Sequence, residues 1–165
     1  MQRIIAIPIV LLFTLSRPCL AQDDPVMSAK MQFSSILMGT NNSFSSLKGD
    51  KVGEDDNYMY YRSEYGLGNK ALTVLHSKKD TTEWLCFVRY STETDLDQIP
   101  AIESGVFGMI NMVIKGGKIK GTEGTENNVT RTDLYVTQGE EWLGELVTDS
   151  NKKTFHVLFR NTKWN

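Results

Sequence analysis

Glu83-Trp84-Leu85-Cys86-Phe87-Val88-Arg89-Tyr90 is the stretch that decides the fold. Trp84, Cys86, Val88 and Tyr90 alternate with Leu85 and Phe87, so an extended segment here is apolar on both faces. Aromatic and β-branched residues with period-two alternation signal a strand. Apolar residues on both faces predict a central strand with cover on each side.

The neighbouring segments follow the same logic. Residues 58–65 and 70–78 read as two further strands, separated by the turn Gly66-Leu67-Gly68-Asn69. Lys79-Asp80-Thr81-Thr82 is the turn into the central strand. Before them, Val26, Phe33, Ile36, Leu37, Phe44 and Leu47 recur at helical spacing. That predicts an amphipathic helix stopped by Lys48-Gly49, with Gly39-Thr40-Asn41-Asn42 a point at which it divides. Residues 50–57 read as a polar connection.

Beyond the central strand, Thr94 and Asp97 have capping-box spacing and Pro100 fits a first helical turn. Ile99, Ile102, Val106, Ile110 and Val113 then form one helical stripe. Gly105 and Gly108 weaken it, each costing about 1 kcal/mol against Ala. A buried strand over 106–114 is the alternative. The remainder reads as β: a short start at 118–120, a polar loop over 121–128, and strands over 129–137, 141–148 and 153–161. The order α-βββ-α-βββ(β) predicts an α+β fold, an antiparallel sheet of six or seven strands with two helices packed on one face. No repeat at solenoid spacing is present.

The first residues carry a targeting pattern. Arg3 precedes an apolar run over 4–15, and Ala21 with Cys19 two residues earlier suits signal cleavage. The run is about a dozen residues, where a membrane span needs roughly 20. Residues 1–21 are therefore expected to be a cleavable signal peptide, and 22–165 a single globular domain that is secreted or periplasmic. Lipidation of Cys19 is the rival, but Arg17-Pro18 stand where small residues belong. Signal removal leaves Cys86 as the sole cysteine, so no intramolecular disulfide forms, and its apolar neighbours make it a buried small hydrophobe.

The whole chain has a formal net charge of −2, and loss of Arg3 and Arg17 makes it two units more acidic. No Lys/Arg cluster stands out, which argues against nucleic acid and anionic lipid as partners. No metal spacing is present: Glu54-Asp55-Asp56 and Asp95-x-Asp97 are only fragments of a calcium loop, and charged turns explain them. No cofactor is expected. Gly66-Leu67-Gly68-Asn69-Lys70-Ala71 has dinucleotide-loop letters but leads into a strand, not a helix.

For catalysis, His76 and His156 are the candidate bases, with Ser77, Asp133 and Asp149 as conceivable triad members. No Gly-x-Ser-x-Gly elbow presents a nucleophile. Glu141, Glu145 and Asp133 are the candidate carboxylates for glycoside cleavage. Asn41 and Asn128 head formal glycosylation sequons.

The positive signal is aromatic. Tyr58, Tyr60, Tyr61 and Tyr65 crowd one strand, and Tyr60, Arg62 and Glu64 share one of its faces. Tyr and Arg are enriched at binding hot spots. Tyr58, Tyr60, Arg62 and Tyr65 are therefore the candidate binding residues, on an exposed sheet face or on this strand as an edge, for a protein or small-molecule ligand. Trp84 and Trp142 read as core. The expectation is a non-enzymatic extracytoplasmic binding protein. The alternatives are a small hydrolase using His76 or His156, or an inhibitor of a secreted enzyme. The helix ending in Phe44-Ser45-Ser46-Leu47-Lys48-Gly49 before a strand meander resembles small exported bacterial proteins. The element order is similar to small chaperone and inhibitor domains, a likeness of fold that implies no function.

Overall fold

Pro25 stands in the first turn of a helix, where a missing N–H costs nothing, and Asp24 Oδ1 accepts the Val26 N–H at 3.0 Å. These two residues start helix α1, Pro25–Gly39, in the computed structural model, which describes residues 24–164. The expected signal peptide lies outside the described residues. The helix stops earlier than its apolar stripe suggests. Thr40 to Asn42 form a 3₁₀ turn, and Ser43 (φ 56°) and Phe44 (φ 55°) reverse the chain in left-handed conformations. The reversal drops Phe44 and Leu47 into the core, and burial of the Phe44 ring offsets its backbone strain.

Four strands follow in a meander: β1 (Lys51–Glu54), β2 (Tyr58–Leu67), β3 (Lys70–Ser77) and β4 (Trp84–Ser91). Helix α2 (Ile99–Lys115) then precedes a second meander: β5 (Ile119–Glu126), β6 (Val129–Val136), β7 (Trp142–Asp149) and β8 (Thr154–Arg160). All eight strands form one antiparallel sheet in the order β1-β2-β3-β4-β8-β7-β6-β5. Each half is thus a helix plus a four-stranded meander, and the last strands of the two halves meet at the centre.

The expected class holds, with eight strands in place of six or seven. The additional strands are β1, read as polar connection, and most of β5, read as loop. Both are edge strands whose residues are almost all exposed, so neither carries the apolar alternation that marks a strand. The segment over 106–114 lies within α2 and is not a strand.

Helix cover is one-sided. Cys86, Val88 and Tyr90 of β4 are paired with Phe159, Val157 and Phe155 of β8, and all six are buried. Against them pack Phe33, Ile36 and Leu37 of α1 with Ile102, Val106 and Ile110 of α2. Phe33 meets Phe159 edge to face, ring centroids 5.4 Å apart. Burial raises the Cys86 thiol to about 12, which leaves it protonated and inert. The expected cover on both sides of β4 is therefore corrected: its Leu85 and Phe87 face is free of helix and half-buried by sheet neighbours.

The start of α2 is held differently from the capping box expected of Thr94 and Asp97. Its N-cap residue, Gln98, makes no side-chain cap. Instead Asp95 Oδ2 accepts the Ser91 N–H at 2.8 Å and pairs with Lys70 Nζ at 3.1 Å. The Ser91 amide, with Lys70 behind it, holds the Asp95 carboxyl below its ordinary value. The loop thus folds back onto the end of β4, and no side chain caps the first turn of α2.

The helices touch at Gly105. A Cβ there would stand 2.7 Å from the Val26 carbonyl oxygen and 2.8 Å from the Ala29 Cβ, whereas one at Gly108 meets nothing within 4 Å. Helix propensity favours alanine at both positions by about 1 kcal/mol. The two substitutions are therefore expected to diverge. Gly108→Ala raises stability by up to about 1 kcal/mol, while Gly105→Ala lowers it by about 1–3 kcal/mol through overpacking. Thermal unfolding of both variants checks this, and equal effects would place the helix contact elsewhere.

Candidate functional site: the uncovered sheet face

Strand register fixes what the free face presents. Because Cys86, Val88 and Tyr90 point toward the helices, Leu85, Phe87 and Arg89 point away. Three rows cross the sheet on that side. The first is Tyr60, Leu75, Leu85 and Arg160. The second is Arg62, Thr73, Phe87, Leu158, Glu145 and Asp133. The third is Arg89, His156, Val147 and Arg131. Apolar and aromatic groups gather over β2 to β4 and β8, and charge gathers over β6 to β8.

The charged part is an ordered cluster. Glu145 receives His156 Nε2 at 3.4 Å on one oxygen and Arg131 Nε at 3.4 Å on the other. Arg89 lies over the Phe87 ring, 5.5 Å from its centroid, and the His156 and Phe87 rings are 5.7 Å apart. Asp133, opposite Glu145, accepts the Trp142 Nε1–H at 3.3 Å. Trp142 therefore belongs to this face, and its reading as core is corrected. The bulge between Leu134 and Tyr135 turns it there.

Burial lowers the His156 pKa from its ordinary 6.5. Contact with Glu145 pulls it up, and the charges of Arg89 and Arg131 push it down. The ring is thus mainly neutral near pH 7, able to accept a proton but already engaged with a carboxylate.

The candidate binding residues are partly brought together. Tyr58, Tyr60 and Arg62 lie on the uncovered face, paired with Ser77, Leu75 and Thr73. The Tyr60 hydroxyl donates to the Asp55 carboxylate, and this bond most lowers the Asp55 pKa. Asp55 Oδ1 also accepts the Asn57 and Tyr58 amides, both at 2.7 Å, so the acidic segment is a turn. Tyr65 and Glu64 fall in a bulge between Arg62 and Gly66, which breaks the alternation that placed Glu64 beside Tyr60 and Arg62. Tyr65 is 54% exposed there. Strand β2 is not the sheet edge, because β1 pairs with it over Met59 to Tyr61.

Among the catalytic candidates His156, Glu145 and Asp133 meet in this cluster, and the others are dispersed. His76 shares a face with the buried Val74 and stacks on Trp84 at 3.9 Å, on the opposite side of the sheet from His156. Its Nε2 stands 2.9 Å from the Thr81 carbonyl. Ser77 Oγ accepts the Asp80 amide, and Asp149 Oδ1 accepts the Asn151 and Lys152 amides, so both shape turns. Glu141 precedes β7 and is exposed, while Asp133 and Glu145 alone form a cross-strand pair. Among the described residues no group of three His, Cys, Asp or Glu side chains is placed to hold a metal ion. No described helix is long and apolar enough to cross a membrane.

Sequence reasoning missed Leu85, Phe87, Arg89, Arg131 and Leu158. A usable clue was Arg89, which shares parity with Leu85 and Phe87 and marks their face as open to water. No family model matches the chain, and no curated protein or solved structure is significantly similar to it.

The His156 environment can be titrated. Its NMR midpoint should lie below 6.5, and Glu145→Gln should lower it further, because only the raising partner is removed. An unfolded chain binds this proton more readily than the folded one, so stability falls as pH drops through the ordinary value toward the folded one. A His156→Gln chain should lose less over that window. A midpoint that rises in Glu145→Gln would refute the contact.

Proposed function

We propose that the chain acts outside the cytoplasm as a non-enzymatic binding protein, and that it engages a protein partner with the uncovered sheet face. The observation that carries this reading is the company that Tyr60 and Arg62 keep. Leu75, Leu85, Phe87 and Leu158 adjoin them on the same helix-free side, with Arg89 and Arg160 at the margins. Rigid aromatics, half-buried aliphatics and arginines at the rim are the composition of interface hot spots. These residues spread over four strands, β2, β3, β4 and β8, a breadth that suits another protein better than a small molecule.

The methionines at 27, 31 and 38 expose a second apolar strip along α1. They are flexible and lack neighbouring exposed aromatics, so the sheet face is preferred. Hydrolysis is the second reading and rests on the Glu145–His156 contact. It predicts turnover that vanishes in His156→Gln. An inhibitor of a secreted enzyme would use the same sheet face, its partner being that enzyme.

Affinity capture with residues 22–165 from the cell's own envelope and medium tests the proposal. Wild type should retain one stoichiometric protein. The Tyr60→Ala and Arg89→Ala variants should each bind it about 5- to 30-fold more weakly, the usual span for hot-spot truncation. Full affinity in both variants would rule out this face.

A further inference from the structure

The two ends of the sheet are treated unequally. β1, the first strand of the first half, has four residues and a bulge between Lys51 and Gly53, a common way to blunt an edge. β5, the first strand of the second half, runs eight residues in unbroken register with β6, and residues 120–126 are exposed throughout. Its outer side has no strand partner among the described residues. A long regular edge of this kind is a template for a further strand.

Charge along β5 selects the partner. Lys118 stands just before its first residue and Lys120 at its start, with Glu123 and Glu126 toward its end. We infer that β5 pairs antiparallel with β5 of a second copy, joining two chains about a two-fold axis into one continuous sheet. With Thr122 opposite its own mate, Lys118 meets Glu126 of the other chain. Lys120 then lies opposite Gly124, and Glu123 opposite Gly121, so these two charged side chains each face a glycine. A Cβ at Gly124 would meet nothing within 4 Å, so its side of the strand is open to accept a lysine stem. The register also keeps the two Glu123 carboxylates off one another, avoiding like charges directly opposed.

The existing contacts of these side chains do not compete strongly. Lys120 pairs with Glu140 at 2.6 Å, but both groups are exposed, and such pairs exchange readily. Glu123 accepts a long hydrogen bond from the Thr132 hydroxyl, at 3.5 Å. A two-fold axis through an antiparallel edge lies perpendicular to the sheet, so both helical layers fall on one side. Both uncovered faces fall on the other.

The edge is a small contact, so association is weak and concentration-dependent. Sedimentation equilibrium of the 22–165 chain should show dimers that dissociate on dilution and weaken as salt rises. Lys118→Glu with Lys120→Glu makes the strand wholly acidic, and Glu123→Lys with Glu126→Lys makes it wholly basic. Each double variant alone should be monomeric with wild-type circular dichroism, and an equimolar mixture should form the heterodimer. A wild type that stays monomeric at about 1 mM, a Kd scale too weak to matter, overturns the proposal even if the chain captures extended peptides. So does an acidic variant that dimerises as well as wild type, a mixture that fails to associate, or association insensitive to salt.

Discussion

The antiparallel pairing of β4 with β8 is the contact on which the rest depends. Seven residue pairs run from Leu85–Arg160 to Ser91–Thr154, joining strands far apart in sequence. Each strand closes one helix-plus-meander half, so the seam is the strand pairing that joins the two units, and the helices meet across it. Cys86, Val88 and Tyr90 with Phe159, Val157 and Phe155 form the floor of the core, and both helices lie across it. Without the seam each half would be a four-stranded sheet with one helix, burying a smaller fraction of its surface than the whole does.

Three side chains tether the structure at the ends of the seam. Asn161 accepts the Trp84 amide at 2.8 Å and donates to the Thr82 carbonyl at 2.8 Å, tying the end of β8 to the start of β4. Further on, Trp164 Nε1 reaches the Leu37 carbonyl at 3.1 Å and Thr40 Oγ1 at 2.8 Å, fastening the C-terminal segment to the end of α1. At the other end, Tyr90 donates to the Leu67 carbonyl at 2.6 Å and draws the β2–β3 hairpin beneath the helices. These bonds join segments separated by many residues, so they specify the arrangement and not merely its local parts. The chain satisfies its buried polar groups: no buried side-chain N or O atom of the described residues lacks a partner.

One-sided helix cover has a chemical consequence. An eight-stranded sheet is too broad for its second face to be wholly apolar in water, yet the central strands need apolar neighbours to pack. The compromise is a face on which Leu85, Phe87 and Leu158 are half-buried, with the Arg89 side chain lying over the Phe87 ring. The Glu145 cluster extends the same solution toward β6, where carboxylate, imidazole and guanidinium satisfy one another. Such a surface tolerates water and retains apolar area for contact.

The sequence by itself determined the class of the fold, the identity of most strands, both helices, and β4 as a central element. These follow from local periodicity, because side-chain alternation and helical spacing are set by backbone geometry alone. It also placed Tyr58, Tyr60 and Arg62 on one strand. Tertiary structure alone decided that β4 joins β8, that helices cover one side only, and that β1 and β5 are strands at all. A polar edge strand leaves no apolar pattern, since its stability comes from backbone pairing with a partner that local sequence does not name. The site was half legible for the same reason: residues along one strand are readable by parity. Their neighbours across the sheet, Phe87, Leu158, His156 and Glu145, meet only when register brings distant segments side by side.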